Sequence, residues 1–179
     1  MELREITKVS PDKAVLEEIN EEAIPDNERT SLDDLFATGT DGNLEVLGIY
    51  VENEPVGFFV VRKYKNTRYL AYFAIKVECR SKGIGSKSLA LLIDRFPNCQ
   101  IVVEFEAPRN DVKEDDMVVR RRNFYLRNGF HETGWFTFYD GMEFEIACSR
   151  PMFDEQEFEG FVEYFGTIVP NYMPKPYRK

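Results

Sequence analysis

Residues 74–86, Ala74-Ile-Lys-Val-Glu-Cys-Arg-Ser-Lys-Gly-Ile-Gly-Ser86, form the stretch that decides the fold. The apolar run from Tyr69 to Val77 predicts a buried strand, and the amphipathic pattern from Ser86 to Phe96 predicts a helix. An Arg80-x-x-Gly83-x-Gly85 loop joins them. Because the first amides of a helix lack intrahelical partners and the helix dipole favours negative charge there, the stretch predicts a pyrophosphate site.

Two common glycine-rich phosphate motifs do not fit this loop. The dinucleotide fingerprint needs a third glycine where this chain has Ser88. The Walker pattern needs Gly-Lys-Ser/Thr, whereas Gly85 is followed by Ser86 and Lys87. The loop instead resembles the acyl-CoA loop of the GCN5-related N-acetyltransferase (GNAT) family, Arg/Gln-x-x-Gly-x-Gly/Ala between a strand and a helix.

A second motif strengthens the resemblance to this family. The stretch Asn123-Phe-Tyr125-Leu-Arg-Asn-Gly129-Phe130 predicts a helix that ends at a glycine. It is similar to the family's Phe-Tyr-x-x-x-Gly-Phe element, and the expected strand, Ile101 to Glu106, precedes it. The two motifs and this strand cover residues 68–130.

Hydrophobic patterning predicts the order βαα, three antiparallel strands, αβα and a final hairpin, which is also the order of the GNAT family. This order indicates one α+β domain with a mixed, mostly antiparallel sheet flanked by helices on both faces. The expected elements are strand 2–8, a helix capped by Ser10, a short helix capped by Ser31, strands Leu44–Glu52, Val56–Lys65 and Tyr69–Val77, helix Ser86–Phe96, strand Gln100–Glu106, helix Met117–Asn128, and strands His131–Tyr139 and Glu143–Ser149.

The predicted domain organisation is an acetyltransferase domain over residues 1–150 and a C-terminal extension over residues 151–179, packed on the domain or trailing from it. Within the extension, Asp154 to Phe165 is predicted to be a short helix. Its apolar residues on one face are Phe158, Phe161, Val162 and Phe165. The proline-rich end, residues 170–176, is expected to be irregular.

Composition narrows the classes of function. The chain has 179 residues and a formal net charge of −9, which argues against nucleic-acid binding. No apolar run approaches the about 18 residues of a membrane span, and the first residues lack the pattern of a signal peptide. Three widely spaced cysteines form no CxxC pair, so we expect no metal and a cytoplasmic protein.

The resemblance implies that acetyl-CoA is the cosubstrate. Main-chain groups of the strand would bond the pantetheine arm, and the amides of the loop would hold the pyrophosphate. The residues expected to bind acetyl-CoA are Ile75, Val77, Arg80, Ser81, Lys82, Gly83, Ile84, Gly85, Ser86 and Asn123. A homodimer is compatible with the sequence.

Direct acyl transfer needs an acid for the leaving thiolate and a base for the attacking ammonium. Tyr125 stands at the position of the family's general acid. Some members carry a glutamate base early in the strand before the loop, where this chain has Tyr69. Glu104 and Glu106, which share one face of a strand, are the candidate bases here.

Other roles for these residues stay open at the level of sequence. One of the two glutamates could instead pair with the Arg120–Arg122 cluster as a structural salt bridge, and His131 or a water relay could act as the base. The predicted function is N-acetylation of a primary amine of a small molecule or peptide. The alternatives are a catalytically weak CoA-binding sensor or regulatory module of the same fold, and a non-enzymatic interaction protein.

Overall fold

The structure is a computed structural model that describes residues 1–39, 42–109, 113, 116–169 and 175–179. Across these ranges, no helix combines the length and the apolar character needed to cross a membrane. The elements are β1 (Glu2–Ile6), α1 (Lys13–Ala23), α2 (Leu32–Ala37), β2 (Leu44–Val51), β3 (Glu54–Tyr64), β4 (Thr67–Ile75), α3 (Ile84–Arg95), β5 (Gln100–Glu106), α4 (Met117–Arg127), β6 (His131–Tyr139), β7 (Met142–Cys148), α5 (Glu155–Ile168) and β8 (Tyr177–Arg178).

The strands pair in the order β1-β2-β3-β4-β5-β7-β6-β8. β4 and β5 run parallel, Thr67–Tyr69 against Gln100–Val102, whereas β1–β2, β2–β3, β5–β7, β6–β7 and β6–β8 are antiparallel. The predicted α+β fold with a mostly antiparallel sheet is therefore confirmed. The chain divides into two compact units, residues 1–63 with 70–97 and residues 64–69 with 98–179.

In the first unit, the alternation of side chains along β2 gives each face of the sheet its own helix. Val46 and Tyr50 belong to a buried apolar cluster with Leu16 of α1. Glu45 points to the opposite face, where its Oε1 accepts a hydrogen bond from Nε of Arg95 in α3 at 2.8 Å. Because neighbouring residues of a strand point to opposite sides, α1 and α3 lie on opposite faces.

In the second unit, two helices likewise cover the two faces around β5. The ring of Phe105 stacks on Tyr125 of α4, with 5.5 Å between ring centroids. On the other face, the ring of Tyr69 in β4 stacks on Phe161 of α5 at 5.2 Å. The predicted helices on both faces of the sheet are thus present in each unit.

The C-terminal segment contains one predicted element and one that the sequence did not predict. The apolar face of α5 is confirmed, because its buried residues are Phe158, Phe161, Val162 and Phe165. β8 adds a two-residue strand to the edge of β6, pairing Tyr177 with Phe136. Two residues are too few to show an alternating pattern, so β8 could not be predicted from the sequence. Residues 170–174, in the stretch expected to be irregular, lie outside the described residues.

Some predicted element ends are wrong by a few residues. β4 ends at Ile75 instead of Val77, because residues Val77–Cys79 turn into a short 3₁₀ segment. α3 begins at Ile84 instead of Ser86. The N-cap of α1 is Asp12 instead of Ser10, since a turn from the Ser10 carbonyl to the Lys13 amide precedes the helix.

The end of α4 explains the spacing of the second sequence motif. The amide of Phe130 donates to the carbonyl of Tyr125 at 3.2 Å, and the amide of Gly129 donates to the carbonyl of Leu126 at 3.3 Å. These two bonds, with Gly129 at φ 87°, form a Schellman motif. The rings of Phe130 and Tyr125 also meet edge to face at 5.4 Å. The glycine and phenylalanine therefore fix the last turn of the helix, which carries Tyr125.

Alanine should have opposite effects at Gly129, which belongs to this motif, and at Gly166, which lies inside a helix. Gly129→Ala places a Cβ on a left-handed residue and should lower the free energy of unfolding by about 1 kcal/mol. Gly166 lies inside α5, and a Cβ at this position would have no atom within 4 Å, so Gly166→Ala should raise stability by up to about 1 kcal/mol. Urea unfolding of both variants measures the difference. Equal effects would contradict the role given to Gly129.

Candidate functional site

The loop before α3 has the geometry of an anion site. Gly83 is the N-cap of α3 at φ 76°, and Ser81 is also left-handed at φ 61°. A Cβ built on Gly83 would have no atom within 4 Å, so space lies open beside this part of the backbone. The first amides of a helix lack intrahelical partners, so the first turn of α3 can offer hydrogen-bond donors to a phosphate group.

Three hydrogen bonds hold the chain where β4 gives way to the loop. The amide of Lys76 donates to the carbonyl of Val56 at 2.9 Å. Arg80 folds back so that its Nε donates to the carbonyl of Ile75 at 3.0 Å. The amide of Val77 donates to Oε2 of Glu22 at 3.4 Å. Of the two residues expected to bond the pantetheine arm as a strand, only Ile75 lies in β4, because Val77 belongs to the 3₁₀ segment that follows.

The other residues expected to bind acetyl-CoA occupy several environments. Lys82 is exposed in the loop, whereas Ile84, Gly85 and Ser86 are half-buried in the first turn of α3. Asn123 is an exposed residue of α4 and belongs to the second unit. The structure thus brings residues 80–86 together in one continuous loop and first turn.

Glu104 of β5 is a half-buried carboxylate held by two hydroxyl groups. Its Oε2 accepts a hydrogen bond from the Tyr69 hydroxyl at 3.0 Å, and its Oε1 accepts one from Oγ1 of Thr137. Burial raises the pKa of Glu104 from 4.5 to about 7, although the bond from Tyr69 acts in the opposite direction. A carboxyl group that titrates near neutral pH has the proton affinity that a general base requires.

Within the Arg120–Arg122 cluster, Arg122 pairs with carboxylates other than Glu104 and Glu106. Nε of Arg122 donates to Oε2 of Glu145 at 2.7 Å, and its second terminal nitrogen contacts Glu132. The hydrogen bond with Glu145 raises the pKa of Arg122. Glu145 and Glu132 therefore take the structural role that the sequence left open for Glu104 or Glu106.

Tyr125 lies in a buried aromatic cluster formed with Phe105, Phe124 and Phe130. Burial raises the pKa of its phenol to about 12, so the group keeps its proton at neutral pH. Phe105 and Glu104 are adjacent in β5 and point to opposite faces. The candidate acid and the candidate base are therefore on opposite sides of this strand.

Sequence reasoning did not identify Thr137, and it noted Tyr69 only as a residue standing where a glutamate is often found. Both are buried, and both reach the same carboxylate. A polar residue inside the aromatic run from Trp135 to Tyr139 was the available signal for Thr137. His131, the other candidate base, is the exposed first residue of β6.

A polar cleft of about 740 Å³ opens at the start of α5 in the second unit. It lies beside Gln100, the first residue of β5, and none of the predicted site residues lines it. Its walls are Asn66, Asn98, Gln100, Arg150, Met152, Phe153, Asp154, Glu155, Gln156 and Glu157. Within the described ranges, no group of three or more His, Cys, Asp or Glu residues is arranged to hold a metal ion.

Comparison with known proteins identifies the family to which the glycine loop and the second sequence motif belong. The family model of the acetyltransferase (GNAT) family matches residues 13–130, well over half of the chain. A search of the curated proteins by sequence returns no significant match.

Solved structures extend the similarity over nearly the whole chain. A GNAT-family protein from Bacteroides thetaiotaomicron aligns with a TM-score of 0.76 and 25% identity, covering 94% of this chain and 98% of that one. An aminoglycoside 6′-N-acetyltransferase complexed with coenzyme A gives 0.66 and 14%, covering 86% and 100%. A GNAT-family acetyltransferase from Elizabethkingia anophelis with acetyl-CoA bound gives 0.54 and 16%, covering 82% and 95%. The last two show likeness of fold.

The raised pKa of Glu104 predicts how stability depends on pH. Its carboxyl binds a proton more tightly in the folded chain, with a pKa of about 7 against 4.5, so its contribution to stability is lost as pH rises between these values. Glu104→Gln removes this loss. The free energy of unfolding of the variant, relative to the wild type, should therefore increase by about 1–3 kcal/mol from pH 4.5 to pH 8.

Glu145→Gln is the matched control, because it replaces a buried glutamate that is paired with a cation. It removes the charge that Arg122 binds and should lower stability at neutral pH by about 1–3 kcal/mol. Urea unfolding across the pH range measures both variants. If the free energies of unfolding of Glu104→Gln and the wild type differed by the same amount at every pH, the pKa of Glu104 would not be raised by folding. The pKa of about 7 would then be wrong.

Proposed function

Since this chain belongs to the GNAT family of acetyltransferases, we propose that it moves an acetyl group from acetyl-CoA to a primary amine of a small molecule or peptide. The amine attacks the thioester directly while donor and acceptor are both bound. The nitrogen forms a bond to the carbonyl carbon, and the carbon–sulfur bond breaks. The nitrogen loses two protons in all, one from the ammonium before attack and one as the intermediate collapses; one proton ends on the thiolate and the other is released to solvent.

The loop before α3 is the observation that carries the proposal. Its left-handed residues Ser81 and Gly83 turn the backbone into the first turn of α3, and the space beside Gly83 is open. The first amides of α3 and the helix dipole are suited to the pyrophosphate of CoA, and the exposed side chain of Lys82 adds a positive charge in the same loop. Acyltransferases of this fold with CoA or acetyl-CoA bound support the same donor.

We assign the base to Glu104 in preference to Glu106. Both lie on one face of β5, but Glu104 has two hydroxyl donors on its oxygens and a pKa of about 7. Near neutral pH, a carboxyl group with this pKa is divided between its two protonation states. It can therefore take a proton from an ammonium group and release it again to solvent within each turnover.

We assign the acid to Tyr125, which would act on the thioester from the face of β5 opposite to Glu104. Its phenol stays protonated at neutral pH because burial raises its pKa to about 12. A phenol can donate a hydrogen bond to the thioester sulfur and then its proton to the thiolate. The Schellman motif that ends α4 fixes the carbonyl of Tyr125 and packs Phe130 edge-on against its ring, so this side chain is held in one orientation.

Gly85→Val tests the donor site. A branched side chain in the first turn of α3 should obstruct the pyrophosphate and weaken CoA binding at least tenfold, which is ~1.4 kcal/mol or more. Gly166→Val, at a helical glycine of α5, is the matched control and should bind CoA like the wild type. Calorimetric titration with CoA provides the measurement. If the wild type showed no binding, the proposed function would be wrong.

Tyr125→Phe tests the acid. The change keeps the ring and its packing but removes the proton donor, so kcat should fall on the order of 10²-fold with little change in CoA affinity. Release of free thiol from acetyl-CoA, measured with a panel of primary amines, reports turnover. A normal kcat in the variant would make this tyrosine a structural residue, and absence of amine-dependent thiol release by the wild type would rule out acetyl transfer to these amines.

A further inference from the structure

The carboxylate of Glu104 is bound by hydroxyl groups that come from two other strands. Tyr69 lies in β4, 35 positions earlier in the chain, and Thr137 lies in β6, 33 positions later. Each hydroxyl donates to a different carboxylate oxygen. This arrangement fixes the plane of the carboxylate as well as its position, because two separate donors restrict its rotation.

We propose that Tyr69 and Thr137 are positioning residues for Glu104, whose hydroxyl groups orient its carboxylate and favour its ionised form for proton abstraction. The inference rests on the proposed function, because it concerns the base of that reaction. It adds two residues that act through Glu104 and need no contact with either substrate.

Both donors are buried within the second unit. Tyr69 is buried, and its ring is stacked on Phe161 of α5. Thr137 is fully buried in β6. A carboxylate has about four acceptor positions, so about two remain available after both hydroxyl groups have donated. The two donors thus hold Glu104 in place and still leave it able to receive a proton.

The hydroxyl groups matter because Glu104 is largely removed from water and other acidic residues lie on the same face. Alternation along the strand places Glu106 on the same face, and α5 adds Glu155 and Glu157. Glu155 accepts a hydrogen bond from the indole of Trp135, and Glu157 accepts one from the Thr67 hydroxyl. The two hydroxyl donors therefore stabilise the charged form of the Glu104 carboxylate, which burial disfavours.

Removal of either hydroxyl should therefore make the carboxyl of Glu104 harder to ionise. In Tyr69→Phe and in Thr137→Val, the pKa of Glu104 should rise by at least ~0.5 units, because a hydrogen bond to the charged form is lost. The ascending limb of the pH–rate profile should move upward by the same amount. CoA affinity should stay unchanged, since neither residue lies in the loop before α3.

Two variants serve as matched controls. Tyr64 also stacks on a ring of α5, that of Tyr164 at 5.4 Å, so Tyr64→Phe removes a hydroxyl from a similarly packed tyrosine. Thr133 lies in the same strand as Thr137, but its Oγ1 donates to the carbonyl of Ile146. Thr133→Val and Tyr64→Phe should leave both the carboxyl titration and the pH–rate profile where they are in the wild type.

The experiment combines carbon-detected NMR titration of glutamate carboxyl groups with pH–rate profiles of thiol release from acetyl-CoA. The Glu104 signal is assigned by its loss in Glu104→Gln. The inference is supported if the carboxyl pKa and the ascending limb of the pH–rate profile both move upward in Tyr69→Phe and in Thr137→Val. Neither quantity should move in the two control variants.

Two results would overturn it. An unchanged Glu104 titration in Tyr69→Phe and Thr137→Val would show that the hydroxyl groups do not favour its ionised form. A shifted titration with an unmoved kinetic limb would show that they do not act on catalysis through this residue. Failure of the proposed function is distinguishable, because the wild type would then release no thiol in the presence of amines while the titration could still be measured.

Discussion

The opposite faces of β5 impose the constraint on which the second unit depends. Side chains of a strand alternate with a period of two, so Glu104 and Phe105 must point in opposite directions. Phe105 meets Tyr125 of α4, and Glu104 meets Tyr69. A slip of one residue against β7 would put the carboxylate into the aromatic cluster and the phenylalanine ring among the hydroxyl groups. The pairing of β5 with β7 therefore keeps the candidate acid and base on separate faces.

Differences in their partners give two glutamates of neighbouring strands different chemistry. Glu145 of β7 is buried and forms an ion pair with Arg122, and this contact raises the pKa of Arg122. Glu104 of β5 has neutral hydroxyl donors, which offset only part of the desolvation of its charge, so its pKa rises to about 7. A cation holds a carboxylate ionised, whereas hydroxyl groups leave it able to gain and lose a proton. This difference separates a structural glutamate from a candidate base.

Several features follow from residues that are close together in the sequence, and these were predicted. The glycine loop before α3 and the Schellman motif that ends α4 each depend on a glycine at a left-handed position, Gly83 and Gly129. Side-chain periodicity indicated β5, β6 and the apolar face of α5. The ends of β4 and α3 were misplaced by two residues, because the short 3₁₀ turn after β4 has no pattern of its own.

By itself, the sequence therefore determined the order of elements, the glycine loop and the pair of candidate bases, because these depend on spacings of a few residues. Only the tertiary structure decided that Arg122 binds Glu145, that Tyr69 and Thr137 bind Glu104, and that β8 joins the sheet. The partners of Glu104 lie 35 and 33 positions away along the chain. Strand pairing brings such distant side chains together, and the spacing of residues along the chain does not predict which of them will be in contact.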